Sequence, residues 1–582
     1  MGAKEMEPWI VGSKPSERFP IWTRANVGEV FPDPVAPLSF SFILRDMAEP
    51  GFRDAFVNIG AFSHDEFSPD EMEVLGVFGG YCYLNAALFR VFGERAPGMS
   101  AQMIDDQFFG AQPGIPPYVE MPGDQNPERS AKIEETFDWV MTTTHLDAPA
   151  TSAKLADRFR AERPDINAMS NTELWTYVRN LYLTDYRQLF MEHIYTSFLA
   201  TVPVGALMQI CADDGRPDDA MRVISGVGDV ESAAPSLAMW ELGRTVAADS
   251  LLTAAFDAGV PGLVDRLRSE GQSANAFLAD FDEFLRKFGS RGPNEWEMRN
   301  HTWETKPELA LAAIDRMRLA APEAAPERRN QQMATERERV VAEISAALAD
   351  DHSTRDTFQA AAHAAVLFQA GRERTKTNAV KLIQEARMAM HTIGRRLVAE
   401  GKADDVSDFG LVLAPEMESW LADPASLRDE IRRRRELYAA YDGLQEPFVF
   451  ANTQPDPSTW ARRGAESVAP VAVGDVLAGF PGCPGEVSAV ARIVLDPLDP
   501  TALGAGEILV APLTDPSWTP LFVAAGGVIV NVGAAQSHAM IVSRELGIPC
   551  VPSVTDATRR IPDGATVHVN GDAGTVTILA LP

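Results

Sequence analysis

Apolar and polar positions divide the chain into regions of different period. Over residues 1–150, short apolar segments are broken by Pro, Gly and aromatic residues and show few helical repeats, so this part is expected to be loop-rich α+β structure. From about 152 to 290, and again from about 308 to 440, apolar residues recur at three and four, as in "ERERVVAEISAALAD" and "NAVKLIQEARMAMHTIGRRLVAEG". That spacing predicts long helices, and a helical domain over 151–445. "APEAAPERRN", Ala321 to Asn330, reads as a loop between two of them. Helical periodicity stops and Pro, Gly and Ser rise over 446–470, which reads as a linker, and residues 471–582 consist of short β-branched runs punctuated by glycine. The expected architecture is therefore multidomain α+β: a large, mainly helical domain followed by a compact C-terminal β/α domain.

The one clear helix of that last region carries the first candidate chemistry. In "AGGVIVNVGAAQSHAMIVSRELGIPCV", Val528, Ile529 and Val530 form a short apolar run suited to a buried strand, and Gly533 then turns the chain. Ser537 is a good N-cap, Ala539, Val542 and Leu546 repeat at helical spacing, Gly547 fits the position after the last turn, and Pro549 cannot continue the helix. His538 thus falls in the first helical turn. There the unpaired N–H groups and the positive end of the macrodipole disfavour imidazolium and attract an anion. A neutral imidazole is a nucleophile, and a phosphoryl group placed on it would be held by the same N–H groups. A histidine at such a turn also serves simply to satisfy nearby backbone groups, and the local pattern does not separate the two roles.

Composition narrows the partners. Lys plus Arg total 52 against 82 Asp plus Glu, and the net charge of −30 repels nucleic acid and anionic lipid over most of the surface. The N-terminal "MGAKEMEPWIVGSKP" has no apolar core for a signal peptide, and no run is expected to approach the ~18 residues of a membrane span, so a cytoplasmic location is expected. Cys82, Cys211, Cys483 and Cys550 are widely spaced and suggest neither a disulfide framework nor a zinc site; no metal site is expected.

The histidine stretch closely resembles the phosphohistidine signature of the swivelling domain in the PEP-utilising family, which includes phosphoenolpyruvate synthase, pyruvate phosphate dikinase and rifampicin phosphotransferase. The resemblance covers about the last 110 residues and includes "GCPGEVSAVARIV", "ILVAPLTDPSWTPLF" and "IPDGATVHVNGDAGTVTIL" in the expected order. It implies that 471–582 is a swivelling domain, that His538 carries the phosphoryl group, and that Gly533 and Ser537 belong to the phosphate loop. Where the family commonly has Gly-Gly and a hydroxyl residue before Ser-His, this chain has Ala534 and Gln536.

Three further stretches gain meaning from the same resemblance. "WTRANVGEVFPDPVAPLSF" could by itself be an extended segment wrapping the surface, but it resembles the start of the acceptor-binding region of rifampicin phosphotransferase, which makes Arg24 and Glu29 candidate substrate-binding residues. "KFGSRGPNEWEMRN" could be a helix exit with surface charges; its likeness to a Gly-x-Arg-Gly-x-x-Glu stretch makes Arg291 and Glu295 candidate pocket residues. In "GRERTKTNAVKLIQEARMAM" the stripe through Val380, Ile383, Arg387 and Met390 extends back through Lys376 to Arg372. A solvated end to that face, with Glu373 and Lys376 paired, has the same spacing. The Arg-Glu-x-x-Lys arrangement resembles the one placed beside the docked phosphohistidine, where Arg372 and Lys376 would neutralise the transferring group and Glu373 would accept the acceptor's proton.

No glycine-rich phosphate loop with a partner lysine occurs in the first 450 residues. ATP and Mg2+ are therefore expected on a separate ATP-grasp subunit, the division of labour found in phenylphosphate and alkylphenol phosphate synthases. The resemblance then implies transfer of the β-phosphoryl group of ATP through His538 to a phenol or alkylphenol, with AMP and phosphate released. An antibiotic or another alcohol as acceptor, and a non-catalytic phosphocarrier, are the alternatives.

Overall fold

The computed structural model describes residues 7–109, 114–181, 185–228, 231, 234–320, 322, 325–464, 468–497, 503–533 and 537–582. Two compact units interleave along the chain: Met1–Leu199, Trp296–Asn300 and Thr375–Ser467 form the first, and Ala200–Glu295, His301–Arg374 and Val468–Pro582 the second. The change of unit within the helical region falls near residue 200, not near 150, and the helical domain expected over 151–445 contributes to both units.

The first unit is more regular than its sequence suggested. Strands β1 (Ile21–Thr23), β2 (Leu75–Phe78), β3 (Tyr81–Asn85) and β4 (Val449–Ala451) form an antiparallel sheet in the order β2-β3-β1-β4. β4 lies within the segment expected to be a linker; with Trp22 opposite Phe450, it closes the sheet across more than 400 residues of sequence. Three residues are too few to show a strand period, which is why the pattern hid it. Trp22, Phe78, Tyr81, Tyr83 and Phe450 pack as edge-on rings over this sheet. Helices surround it, among them Glu49–Ile59, Pro127–Thr142 and Arg187–Leu199, and Ser39–Ala48 is wound as a π-helix. The run Arg187–Asp213, with mean hydropathy 1.5 and 44% of its window buried in the fold, does reach the length and hydropathy of a membrane span. That corrects the expectation that none would; Arg187, Glu192 and Asp213 are its only charged side chains.

The second unit joins a helical layer to a seven-stranded sheet. Strands β5 (Val476–Ala478), β6 (Glu486–Ile493), β7 (Ile508–Ala511), β8 (Gly527–Val530), β9 (Cys550–Val551), β10 (Thr566–Asn570) and β11 (Thr575–Ala580) run in the order β5-β11-β10-β6-β7-β8-β9. The β6-β7-β8-β9 portion is parallel and the rest antiparallel. One face of the sheet packs on its own short helix Ala557–Arg560. The other carries helices Thr519–Ala524 and His538–Leu546 and continues into the helical layer in a single apolar core. That layer is anchored by Gln272–Phe288, whose Phe277, Phe281, Phe284 and Phe288 recur at four, three and four residues and are all buried. Each such ring contributes roughly 1.5–3 kcal/mol by leaving water. Helix Pro326–Ala347 begins inside the segment read as a loop, with Pro326 in its first turn, where a missing N–H costs nothing.

Candidate functional site

β8 is buried between β7 and β9, with Leu509 opposite Val528 and Val528 opposite Cys550. Its apolar residues fix the strand at the centre of the parallel portion, and the chain leaves it toward the histidine helix, His538–Leu546. Gly547 ends that helix in the left-handed region, φ 60°, and a Cβ there would lie 2.5 Å from Met333 Sδ. His538 is the first helical residue and only 8% exposed. Both ring nitrogens face hydroxyls: Nδ1 lies 3.1 Å from Thr514 Oγ1 and Nε2 3.3 Å from Thr519 Oγ1. The edge of the Phe522 ring system completes the enclosure, its centroid 5.8 Å away at 89°. A neutral imidazole has one N–H and one lone pair, and each threonine hydroxyl can accept from the one or donate to the other.

Ser537 occupies the N-cap position but makes no side-chain capping bond. Its buried Oγ has no hydrogen-bond partner among the described residues, and it lies against Gly533, where an added Cβ would stand 3.1 Å from it. An orphan hydroxyl at a helix N-terminus beside a tight glycine suits an anionic ligand. Ala534 and Gln536, the departures from the family loop, lie outside the described residues.

The loop that supplies Thr514 also carries a half-buried carboxylate, Asp515. Asp515 accepts hydrogen bonds from the Ser517 N–H and hydroxyl and, at 3.2 Å, from the Asn294 N–H. Burial pushes its pKa up to about 6 against those bonds. Asn294 belongs to the turn between Arg291 and Glu295, so this contact sets that turn beside the histidine loop. Arg291 and Glu295 form an ion pair at 2.9 Å and are 1% and 2% exposed.

Arg372 and Glu373 share the unit of His538. Their side chains are paired at 3.1 Å. Glu373 lines a narrow cleft with Gln369, Ile224, Val227 and, from the histidine helix, Ile541, Arg544 and Glu545. At 1.5 Å per residue, these helix positions lie about 4.5–10 Å along the axis from His538. Arg544 is buried, and desolvation lowers its pKa, with Arg372 and Glu373 among the charges it senses. Lys376 is on the same long helix, His352–Ala399, but belongs to the first unit.

Arg24 and Glu29 also lie in the first unit. Arg24 is 5% exposed and donates to the carbonyl oxygens of Cys82 and Phe31 and to Glu446, with Tyr81 under its guanidinium. It thereby ties β1 to the start of β4's segment. Glu29 sits in the short helix Val27–Val30. Thr514, Asp515 and Thr519 escaped the sequence reading: "ILVAPLTDPSWTPLF" showed their order in the chain but not that the loop folds over the imidazole.

Residues 190–373 match the rifampicin phosphotransferase fourth domain, and residues 503–574 the mobile domain of PEP-utilising enzymes. The chain is 28% identical over 605 aligned positions to the prodigiosin synthesizing transferase PigC of Serratia marcescens, covering 98% of this chain and 64% of the relative. It is 30% identical to rifampicin phosphotransferase of Streptomyces sviceus over 302 positions, 51% of this chain and 34% of that protein. An uncharacterised protein of Mycobacterium tuberculosis is 26% identical over 97% of this chain and 62% of its own length. The chain thus spans less than two thirds of the length of these relatives. Residues 190–373 in the helical region and 503–574 in the histidine-bearing β/α domain are thus similar to domains of rifampicin phosphotransferase and of PEP-utilising enzymes.

Proposed function

We propose that this chain is the histidine-bearing part of a dikinase-type phosphotransferase. The observation that carries the reading is the buried His538 at a helix N-terminus, both nitrogens within hydrogen-bond reach of threonine hydroxyls, next to a Ser537 hydroxyl that has no partner among the described residues. In this reading the lone pair on the imidazole attacks the β-phosphorus of ATP and AMP leaves, and a water molecule then takes the γ-phosphoryl group away as phosphate, so that one phosphoryl group stays on His538. The N–H groups of the helix start and Ser537 hold the phosphoryl oxygens, a positioning and electrostatic task. The group then passes to the oxygen of a hydroxyl acceptor while a base takes the hydroxyl proton. Glu373 is the candidate base and Arg372 and Lys376 the candidate counter-charges, with Arg24, Glu29, Arg291 and Glu295 as acceptor-side candidates. ATP and Mg2+ bind on a separate ATP-grasp subunit, and a phenol or alkylphenol is the proposed acceptor. The near-complete coverage of this chain by a relative named as a prodigiosin synthesizing transferase favours a second reading, in which the acceptor is a precursor in a biosynthetic reaction.

The test is phosphorylation by an ATP-grasp partner with ATP labelled in the β position. Wild type is expected to yield an acid-labile, base-stable phosphoprotein and His538→Ala none. Equal labelling of the variant would remove the reading.

A further inference from the structure

The histidine helix presents His538 in its first turn and is fastened at its far end. At its far end the Glu545 side chain is 3% exposed and points away from the sheet into the helical layer. Its Oε1 accepts from the Val227 N–H at 3.1 Å, and its Oε2 from the Gly228 N–H at 3.2 Å and from Asn330 Nδ2 at 2.8 Å. Asn330 Nδ2 also reaches the Glu545 carbonyl oxygen, at 3.3 Å. Successive backbone N–H groups presented by a turn make an anion-binding nest, and here the nest holds a carboxylate of the chain itself.

The surrounding packing is specific to this contact. Gly226 has φ 59°, and a Cβ there would come within 2.4 Å of Ala334 N in helix Pro326–Ala347. Arg337 of the same helix donates to the Gly226 carbonyl oxygen. The nest is thus clamped to Pro326–Ala347, whose Met333 abuts Gly547 at the end of the histidine helix. Nearby, Asp572 pairs with Arg222 at 2.6 Å and accepts from the Gly485 N–H. Burial raises the Glu545 pKa although four charge-stabilising neighbours oppose it, so the carboxylate sits there at a desolvation cost. Nothing in the chemistry proposed for His538 needs a buried carboxylate seven residues away.

We propose that Glu545 is a positioning residue: a latch that holds the histidine helix on the helical layer and keeps His538 in its enclosed pose until the helix is released. This rests on the reading of His538 as a phosphoryl carrier, because a carrier enclosed at 8% exposure must uncover itself to meet a donor bound elsewhere. Arg222 with Asp572 is the weaker second fastening, since both are partly exposed and solvent screens the pair.

The test uses the full chain and phosphoramidate, a small donor that gives its phosphoryl group to an imidazole and leaves as ammonia, so that no nucleotide partner is needed. Labelling of His538 is followed by mass spectrometry of the peptide, with His538→Ala as the blank. Glu545→Gln keeps the shape but turns an NH2 group toward a backbone N–H, and Asn330→Ala removes the third donor from the other side of the contact. Both variants are expected to label His538 roughly tenfold faster than wild type, the range of a lost hydrogen bond to a charged group. The double variant should gain little beyond either single one, as members of one contact do. Hydrogen exchange of residues 538–546 should rise in parallel, while β10 and β11 keep their protection. Labelling and exchange at the wild-type rate in both variants would overturn the latch. Faster labelling in the variants, together with no ATP-dependent labelling of wild type by an ATP-grasp partner, would keep the latch and overturn the phosphotransferase reading.

Discussion

At the scale of single residues, the imidazole is controlled by hydroxyls. Thr514→Val keeps the volume but removes the hydroxyl beside Nδ1, and with it a bond that orients the ring. Phosphorylation of His538 is expected to slow by roughly 10–100-fold and to be restored by Thr514→Ser, as read from rates of labelling. Asp515 gives a pH signature. Its native pKa of about 6 lies above the ordinary aspartate value of 3.8, so the native state holds the proton more tightly than the unfolded chain. Its contribution is therefore favourable at low pH and is lost as pH rises from about 4 to about 6, an effect on the order of 2–3 kcal/mol. Asp515→Asn abolishes that titration. Calorimetric melting at pH 5 and pH 7.5 should show wild type gaining stability at the lower pH relative to the variant; a constant difference would mean that Asp515 ionises normally.

At the scale of elements, two helices meet with separate duties. The histidine helix presents the carrier, and the long helix His352–Ala399 contributes Arg372 and Glu373 to the cleft beside it. If these act on the docked phosphohistidine, loading and delivery come apart. Arg372→Ala and Lys376→Ala should still accept phosphate but deliver it to a phenol about 10²–10³-fold more slowly. Glu373→Gln keeps the shape and loses the base, so its delivery rate should recover partly as pH rises toward a phenol's pKa near 10. Single-turnover chase of labelled protein with phenol or a cresol measures both steps, and wild-type delivery in all three variants would assign the cluster to structure.

At the scale of the whole molecule, the proposed division of labour predicts that the isolated chain does not bind ATP; calorimetric titration showing micromolar binding would place a nucleotide site within it. The sequence by itself determined the strand-turn-helix around His538, because Val528–Val530, Ser537 and Gly547 are local signals whose meaning depends on a few neighbours. It determined the long helices for the same reason. Only the tertiary structure decided what encloses the histidine. Thr514 and Thr519 reach it from 24 and 19 residues away, and hydroxyl residues in a Pro-rich loop carry no period that marks their direction. The contacts of Arg24 were equally hidden: its partners Cys82 and Glu446 are 58 and 422 residues distant, a separation that no local pattern spans. Helical period likewise says which face of a helix is buried but not against which body. The change of unit near residue 200, and the strand hidden in 446–470, follow from pairings between distant segments that no local pattern specifies.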